Sequence, residues 1–203
     1  MERDRAVSYL RVKICGITRL EDALCAEDAG ADAVGLNFVP GTKRAISQAD
    51  AAAISSGLGP LIARVGIFRD ASLEEILAAL HAVKLTSIQL HGSESDDFAA
   101  RVAVHAPVIR AISHGATLPV SDTLLIDNLE GGSGQVFDWN ALETTALRGR
   151  RWLLAGGLTP DNVASAVKQL QPWGVDLSSG VENQPGIKDH AKIKAFIKAA
   201  RGS

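Results

Sequence analysis

Two side chains at the ends of apolar runs mark where this 203-residue chain could do chemistry. Arg11-Val-Lys-Ile-Cys-Gly-Ile17 carries a free thiol, Cys15, where a short strand meets a glycine. Lys13 lies two residues earlier, on the same side of a strand. Its ammonium is expected to lower the thiol's pKa and favour the thiolate, the basic form. Leu124-Leu-Ile-Asp-Asn128 runs three apolar residues into a carboxylate, Asp127. Burial raises a carboxylate's pKa and lets it keep a proton for donation. An acid and a base on opposite sides of one substrate are what a proton-shifting isomerisation needs. Each residue alone has a plainer reading, Cys15 as core packing and Asp127 as the cap of a turn.

Other strand ends offer anion sites. Arg44, in Gly41-Thr-Lys-Arg44, has a planar fork that can take a carboxylate through two parallel hydrogen bonds, or it is a solvated surface arginine. Gln89 and His91 are two apart and so share a strand face. His91 either orients a substrate or is a satisfied structural histidine. Gly156 and Gly157 end one strand before a helix start, and Asp176-Leu-Ser178-Ser179-Gly180 repeats the pattern with hydroxyls. Glycines let backbone approach closely, and bare N–H groups near a helix start hold phosphate. Gly131-Gly-Ser-Gly134 adds a loop that either closes over substrate or merely turns.

Positioning these groups falls to a regular alternation. Strands are expected at 11–17, 33–39, 62–69, 87–92, 108–114, 123–128, 151–157 and 174–180. Between them lie helices with apolar stripes at i, i+3, i+4, i+7, such as Leu73, Ile76, Leu77 and Leu80. Val163, Ala166, Val167 and Leu170 form a second stripe, and Ile193, Phe196, Ile197 and Ala200 a third. Cys25 falls within the first helix and reads as core. Thr18 with Glu21, and Ser72 with Glu75, fit capping boxes. Thr159-Pro160 fits an N-cap with proline at the first helical position. Only 115–121, with Pro119, lacks apolar periodicity, so a short or missing helix is expected after strand five. Eight strand–helix units without a composition break indicate an α/β single-domain parallel (β/α)8 TIM barrel. An open doubly wound sheet is the rival. The barrel is expected over 11–203, behind a mobile extension at 1–10. In such a barrel the C-terminal strand ends converge on one face, and the loops after strands seven and eight often bind phosphate.

Composition narrows the function classes. The chain is 46% apolar and 22% charged, which suits a soluble globular fold, and its net charge of −2 gives no field for DNA or an anionic membrane. Aromatics at 4% argue against a base-stacking surface. No apolar run reaches the roughly 20 residues that span a bilayer. Two cysteines and no apolar leader suggest a reducing, cytoplasmic setting. The partner expected is a small phosphorylated molecule, not nucleic acid or membrane, and the chain is expected as monomer or homodimer.

From Arg11 onward the chain closely resembles the phosphoribosylanthranilate isomerases of tryptophan biosynthesis. The resemblance rests on Lys13-Ile-Cys-Gly-Ile17, Gln89-Leu-His-Gly92, Leu125-Ile-Asp127 with Gly131-Gly-Ser-Gly134, and Phe137-Asp-Trp139. It continues through Leu154-Ala-Gly-Gly-Leu-Thr-Pro160, Gly174 to Glu182 and Pro185-Gly-Ile-Lys-Asp189, in order and with matching spacing. It implies an Amadori rearrangement of N-(5-phosphoribosyl)anthranilate, with Asp127 as general acid and Cys15 as general base. It further implies Arg44 on the anthranilate carboxylate, phosphate on Gly156, Gly157, Ser179 and Gly180, and neither metal nor organic cofactor. Asn37 and Ala45 depart from the aromatic or β-branched residues common in the family, and Ser133 replaces a common threonine.

Rival functions make distinct demands. A histidine-pathway sugar isomerase implies an aspartate pair at strands one and five, where this chain has Cys15 and Ala111-Ile-Ser-His114. Indole-glycerol-phosphate synthase implies catalytic lysines that are not evident at these strand ends. A non-catalytic phosphate-binding barrel predicts intact glycine loops with a lost acid or base, and both are present.

Overall fold

The computed structural model describes residues 9–113, 115–127, 142 and 144–202. Eight parallel strands close into a barrel: β1 (Arg11–Ile14), β2 (Ala33–Asn37), β3 (Ala63–Phe68), β4 (Ser87–Leu90), β5 (Val108–Ser113), β6 (Thr123–Asp127), β7 (Arg151–Leu154) and β8 (Gly174–Leu177). Closure is explicit in the register, since β1 pairs with β8 from Arg11–Gly174 to Ile14–Leu177 and with β2 on its other side. The open sheet is thereby excluded. Helices α1 (Leu20–Asp28), α2 (Gln48–Gly57), α3 (Leu73–Val83), α4 (Asp96–Ala103), α5 (Val163–Leu170) and α6 (His190–Arg201) pack outside. Among the described residues no helix joins β5 to β6, as the sequence anticipated. Seven strands begin where expected and β3 one residue late; β1, β2, β3, β4, β7 and β8 stop one to three residues early, as the chain leaves the ladder near each terminal glycine or polar residue.

Strand alternation divides the apolar residues into two cores. Val12, Ile14, Val34, Leu36, Ile88, Leu90, Leu124, Ile126, Leu154 and Val175 face outward and meet the helices, including the fully buried Ile193 and Phe196 of α6. The residues between them face inward. There the apolar filling comprises Val65 and Ile67 of β3 and a cluster of Ala111, Leu125, Leu153 and Ala155. Buried Lys13, Gln89 and Asp176 share that interior.

The helix starts test the capping expectations. Ser72 and Glu75 form the reciprocal capping box on α3. Thr18 does not cap α1: Arg19 is its N-cap, without a side-chain bond, and the Thr18 hydroxyl donates to the Gly186 carbonyl instead. Thr159 does not cap α5 either. Residues 159–162 form a turn in which the Thr159 N–H donates to Asn162 Oδ1 at 2.8 Å, and the helix begins at Val163. Cys25 is buried in the outer core, as expected.

A short hairpin went unforeseen: β9 (Glu182–Gln184) and β10 (Ile187–Lys188) pair antiparallel across Pro185-Gly186. Gly186 has φ 83°, the left-handed value that a Pro-Gly turn requires at its second position. Of the expected extension 1–10, residues 1–8 lie outside the described residues. Leu10 is buried, and Tyr9 lies under the Arg201 guanidinium at 4.8 Å.

Candidate active site

Cys15 follows β1 on the inward face, its N–H donating to the Leu177 carbonyl at 2.8 Å. Gly35 of β2 makes room for it, since a Cβ there would lie 2.8 Å from Cys15 Sγ. Two residues below, the ammonium of Lys13 donates to Asp176 Oδ1 at 2.8 Å, with both side chains buried. The net shift of the thiol is opposite to that expected, although Lys13 itself pulls in the expected direction. Burial pushes the Cys15 thiol up and Asp176 adds to it, while Lys13 and Lys188 pull the other way without prevailing. Burial also disfavours the Lys13 ammonium, but Asp176 and Cys15 outweigh it and raise its pKa. Asp176, expected to meet substrate, holds Lys13 through its Oδ1.

Arg44 arrives on the loop after β2. Asn37 shapes that loop: its Oδ1 accepts from the Val39 N–H at 2.9 Å and its Nδ2 donates to Thr42 Oγ1 at 3.0 Å. The guanidinium stem crosses Gly16, where an added Cβ would lie 2.5 Å from Arg44 Cδ; Gly16 also has φ 69°, so glycine is doubly required. Arg44 reaches Glu182 with two bonds, Nε to Oε1 at 2.7 Å and Nη2 to Oε2 at 2.8 Å. Its side-on edge is thus committed within the protein, and the end-on pair of N–H donors is left for a ligand.

Sequence reading missed Glu182 and Lys188, which the hairpin sets opposite each other. The Lys188 ammonium, buried beside the thiol, donates to Glu182 Oε1 at 3.0 Å and to the Ser178 carbonyl and hydroxyl at 3.1 Å each. Burial lowers the pKa of Lys188, against the pull of Glu182. Burial alone would raise Glu182, but Arg44 and Lys188 hold its carboxyl down at about 2. The available signal was Pro185-Gly186, a turn mark that brings positions 182 and 188 together.

Asp127 ends β6, reached from β1 by way of β8 and β7. Its side chain is 26% exposed and its Oδ2 stands 3.7 Å from His91 Nε2. The other ring nitrogen, Nδ1, is 2.8 Å from the Gln89 side-chain nitrogen. Burial, helped by the charges of Lys13 and Arg69, lowers His91 to about 4, so the ring is neutral near pH 7. The Gly131–Gly134 loop, Ser133 and Phe137-Asp-Trp139 lie outside the described residues.

The glycine loops after β7 and β8 pack on each other. A Cβ at Gly180 would run into the Leu158 carbonyl oxygen, so only glycine permits the contact. Gly156 and Gly157 adopt φ of 82° and 70°. The backbone N–H groups of Gly156, Gly157, Ser179 and Gly180 find no acceptor among the described residues. With Ser178 held by Lys188, these loops form a donor-rich cup beside Cys15. No group of three or more His, Cys, Asp or Glu side chains gathers as a metal site among the described residues. No helix among them is long and apolar enough to cross a membrane.

Residues 12–199 match the family model for N-(5'phosphoribosyl)anthranilate (PRA) isomerase. The N-(5'-phosphoribosyl)anthranilate isomerase of Thermotoga petrophila is 44% identical over 203 residues, covering 95% of this chain and 99% of that protein. The crystal structure of phosphoribosyl anthranilate isomerase from Thermus thermophilus superposes with a TM-score of 0.87 at 41% identity, covering 94% and 98% of the two chains. Another phosphoribosyl anthranilate isomerase was solved in complex with reduced 1-(o-carboxyphenylamino)-1-deoxyribulose 5-phosphate. It matches with a TM-score of 0.85 at 42% identity, over 96% of this chain and 100% of that one.

Proposed function

The chain belongs to the N-(5'-phosphoribosyl)anthranilate isomerase family, and we propose that Cys15 and Asp127 divide between them the proton transfers of its Amadori rearrangement. The reaction converts N-(5-phosphoribosyl)anthranilate to 1-(2-carboxyphenylamino)-1-deoxyribulose 5-phosphate. Asp127 gives its proton to the furanose ring oxygen; the C1′–O bond breaks and the nitrogen lone pair forms an iminium. The Cys15 thiolate removes the C2′ proton, and the C–H electron pair moves toward the iminium nitrogen. The resulting enolamine tautomerises to the ketone, and sulfur never bonds to the sugar.

The observation that carries this reading is the placement of the two groups. Cys15 and Asp127 end the inward rows of β1 and β6, and the glycine loops of β7 and β8 lie between those strands. A phosphate seated on those loops leaves the sugar between acid and base. The raised thiol pKa makes the thiolate scarce but strongly basic, and Lys13 and Lys188 stand by to stabilise it. The end-on donors of Arg44 suit the anthranilate carboxylate.

The test is the loss of substrate fluorescence on mixing purified protein with N-(5-phosphoribosyl)anthranilate. Cys15→Ser and Asp127→Asn should each lower turnover by about 10²–10⁴ with the fold intact by circular dichroism. Near-normal turnover in Cys15→Ser would overturn the base assignment. Intact mass spectrometry during turnover should find no sugar adduct on the protein. A dephosphorylated product analogue that bound as tightly as the phosphorylated one would remove the phosphate site.

A further inference from the structure

We propose that Gln89 acts as a tautomer lock on His91, its side-chain amide holding the ring as the neutral Nε2–H form so that Asp127 faces no positive charge and keeps the proton it must donate. This rests on the assignment of Asp127 as general acid. Gln89 and His91 are positioning residues in this scheme, acting through Asp127.

The geometry on both edges of the ring agrees. Gln89 is 1% exposed, with its amide nitrogen 2.8 Å from His91 Nδ1. An amide N–H that donates to Nδ1 needs a lone pair there, so Nδ1 cannot carry a proton while the amide keeps this orientation. On the far edge, Nε2 stands 3.7 Å from Asp127 Oδ2. That is too long for a hydrogen bond but close enough for a charge to act. With Nδ1 unprotonated, Nε2 carries the single proton of the neutral ring, and at this distance it makes no hydrogen bond that would hold Asp127 as the carboxylate.

The orientation has a cost. Gln89 Oε1 is buried without a hydrogen-bond partner among the described residues. A buried acceptor left unsatisfied is unfavourable.

The charges around the ring come from several strands. Lys13 of β1 and Arg69, just after β3, disfavour protonation of His91, and Asp176 of β8 favours it; Asp127 of β6, 3.7 Å away, would favour it only when ionised. Burial decides the balance and lowers the ring to about 4. Were the ring to become an imidazolium, it would stabilise the Asp127 carboxylate and strip the acid of its proton.

The test uses 15N NMR of the histidine side chains and 13C NMR of the aspartate carboxyls in the whole protein. His91 and Asp127 signals are identified by their absence in His91→Asn and Asp127→Asn. Wild type should show His91 as the neutral Nε2–H tautomer at pH 7. Gln89→Glu should place protons on both ring nitrogens. The introduced carboxylate lies beyond the ring, so the nearer imidazolium governs Asp127, whose titration should move down by about 1–3 pH units. Turnover should fall at least about tenfold, in step with that titration, with a smaller change in KM. An Nδ1–H tautomer in wild type would overturn the lock, whether or not the variant folds. An Asp127 titration unmoved in Gln89→Glu would overturn the link to the acid. Asp127→Asn retaining turnover would instead refute the acid assignment, with the His91 tautomer measured independently.

Discussion

Replacing Asp176 with asparagine should make Cys15 more acidic. In the folded protein Asp176 neutralises Lys13 at 2.8 Å, and its negative charge adds to the burial that pushes the thiol up. Lys13 and Cys15 are two residues apart on a strand, roughly 6.6 Å of rise. At an effective dielectric of about 20, one unit charge at that separation is worth about 2.5 kcal/mol, close to two pH units. Asp176 is in register with Lys13 and so stands about as far below Cys15; Asp176→Asn removes the charge that raises the thiol, while Lys13 goes on lowering it. The variant should therefore show a thiol pKa about two pH units below wild type. Stability should suffer at the same time, since breaking a buried pair from one side costs about 3–5 kcal/mol. The assay is the pH dependence of iodoacetamide alkylation, followed at the Cys15 peptide by mass spectrometry, with buried Cys25 as internal reference. Lys13→Met combined with Asp176→Leu removes both charges and should leave the thiol high at near wild-type stability in urea. A Cys15 midpoint that stays or rises in Asp176→Asn would refute the reasoning.

Glu182→Gln should loosen the guanidinium of Arg44 and raise KM by about tenfold or more, with kcat less affected; a loss confined to kcat would mean that Arg44 does not anchor the ground state. Gly180→Ala should weaken phosphate-dependent binding by pushing the β8 loop off Leu158, read as a shrinking affinity gap between phosphorylated and dephosphorylated product analogues; an unchanged gap would deny these loops the phosphate. Acid unfolding should come in two windows. His91 is depressed to about 4, so the unfolded chain binds its proton first and stability falls as pH drops from about 6.5 to about 4. Glu182 is depressed to about 2, so its contribution is present above about 4.5 and is lost as pH falls toward 2. Urea titrations across pH should find the first window flattened in His91→Asn and the second in Glu182→Gln.

What the sequence disclosed was governed by distance along the chain. The eight strands were legible because each is a local apolar run bounded by glycine or polar residues. The Ser72–Glu75 cap was legible for the same reason, spanning three residues. Thr18 misled because its hydroxyl is claimed by Gly186, 168 positions away. The direction of Lys13's pull on Cys15 was legible, but not that it is outweighed, because the burial of the thiol is a product of the closed barrel and Asp176 sits 163 positions from Lys13 along the chain. Arg44 was recognised as a carboxylate fork, but its intramolecular carboxylate, Glu182, becomes visible only when the hairpin after β8 is folded against the loop after β2.

The alternation that splits the apolar residues into two cores also separates two kinds of mutational risk. Side chains that hold the barrel together, such as Ile14, Leu36, Leu90 and Ile126, point toward the helices. Those that carry the chemistry occupy the opposite parity of the same strands. A substitution within the inner set can rewrite which protons move without loosening the outer shell. A one-residue insertion in a strand would exchange the two sets and destroy both. Such a barrel can be given a new reaction by point changes on one parity, so its stability and its chemistry are free to diverge at different rates.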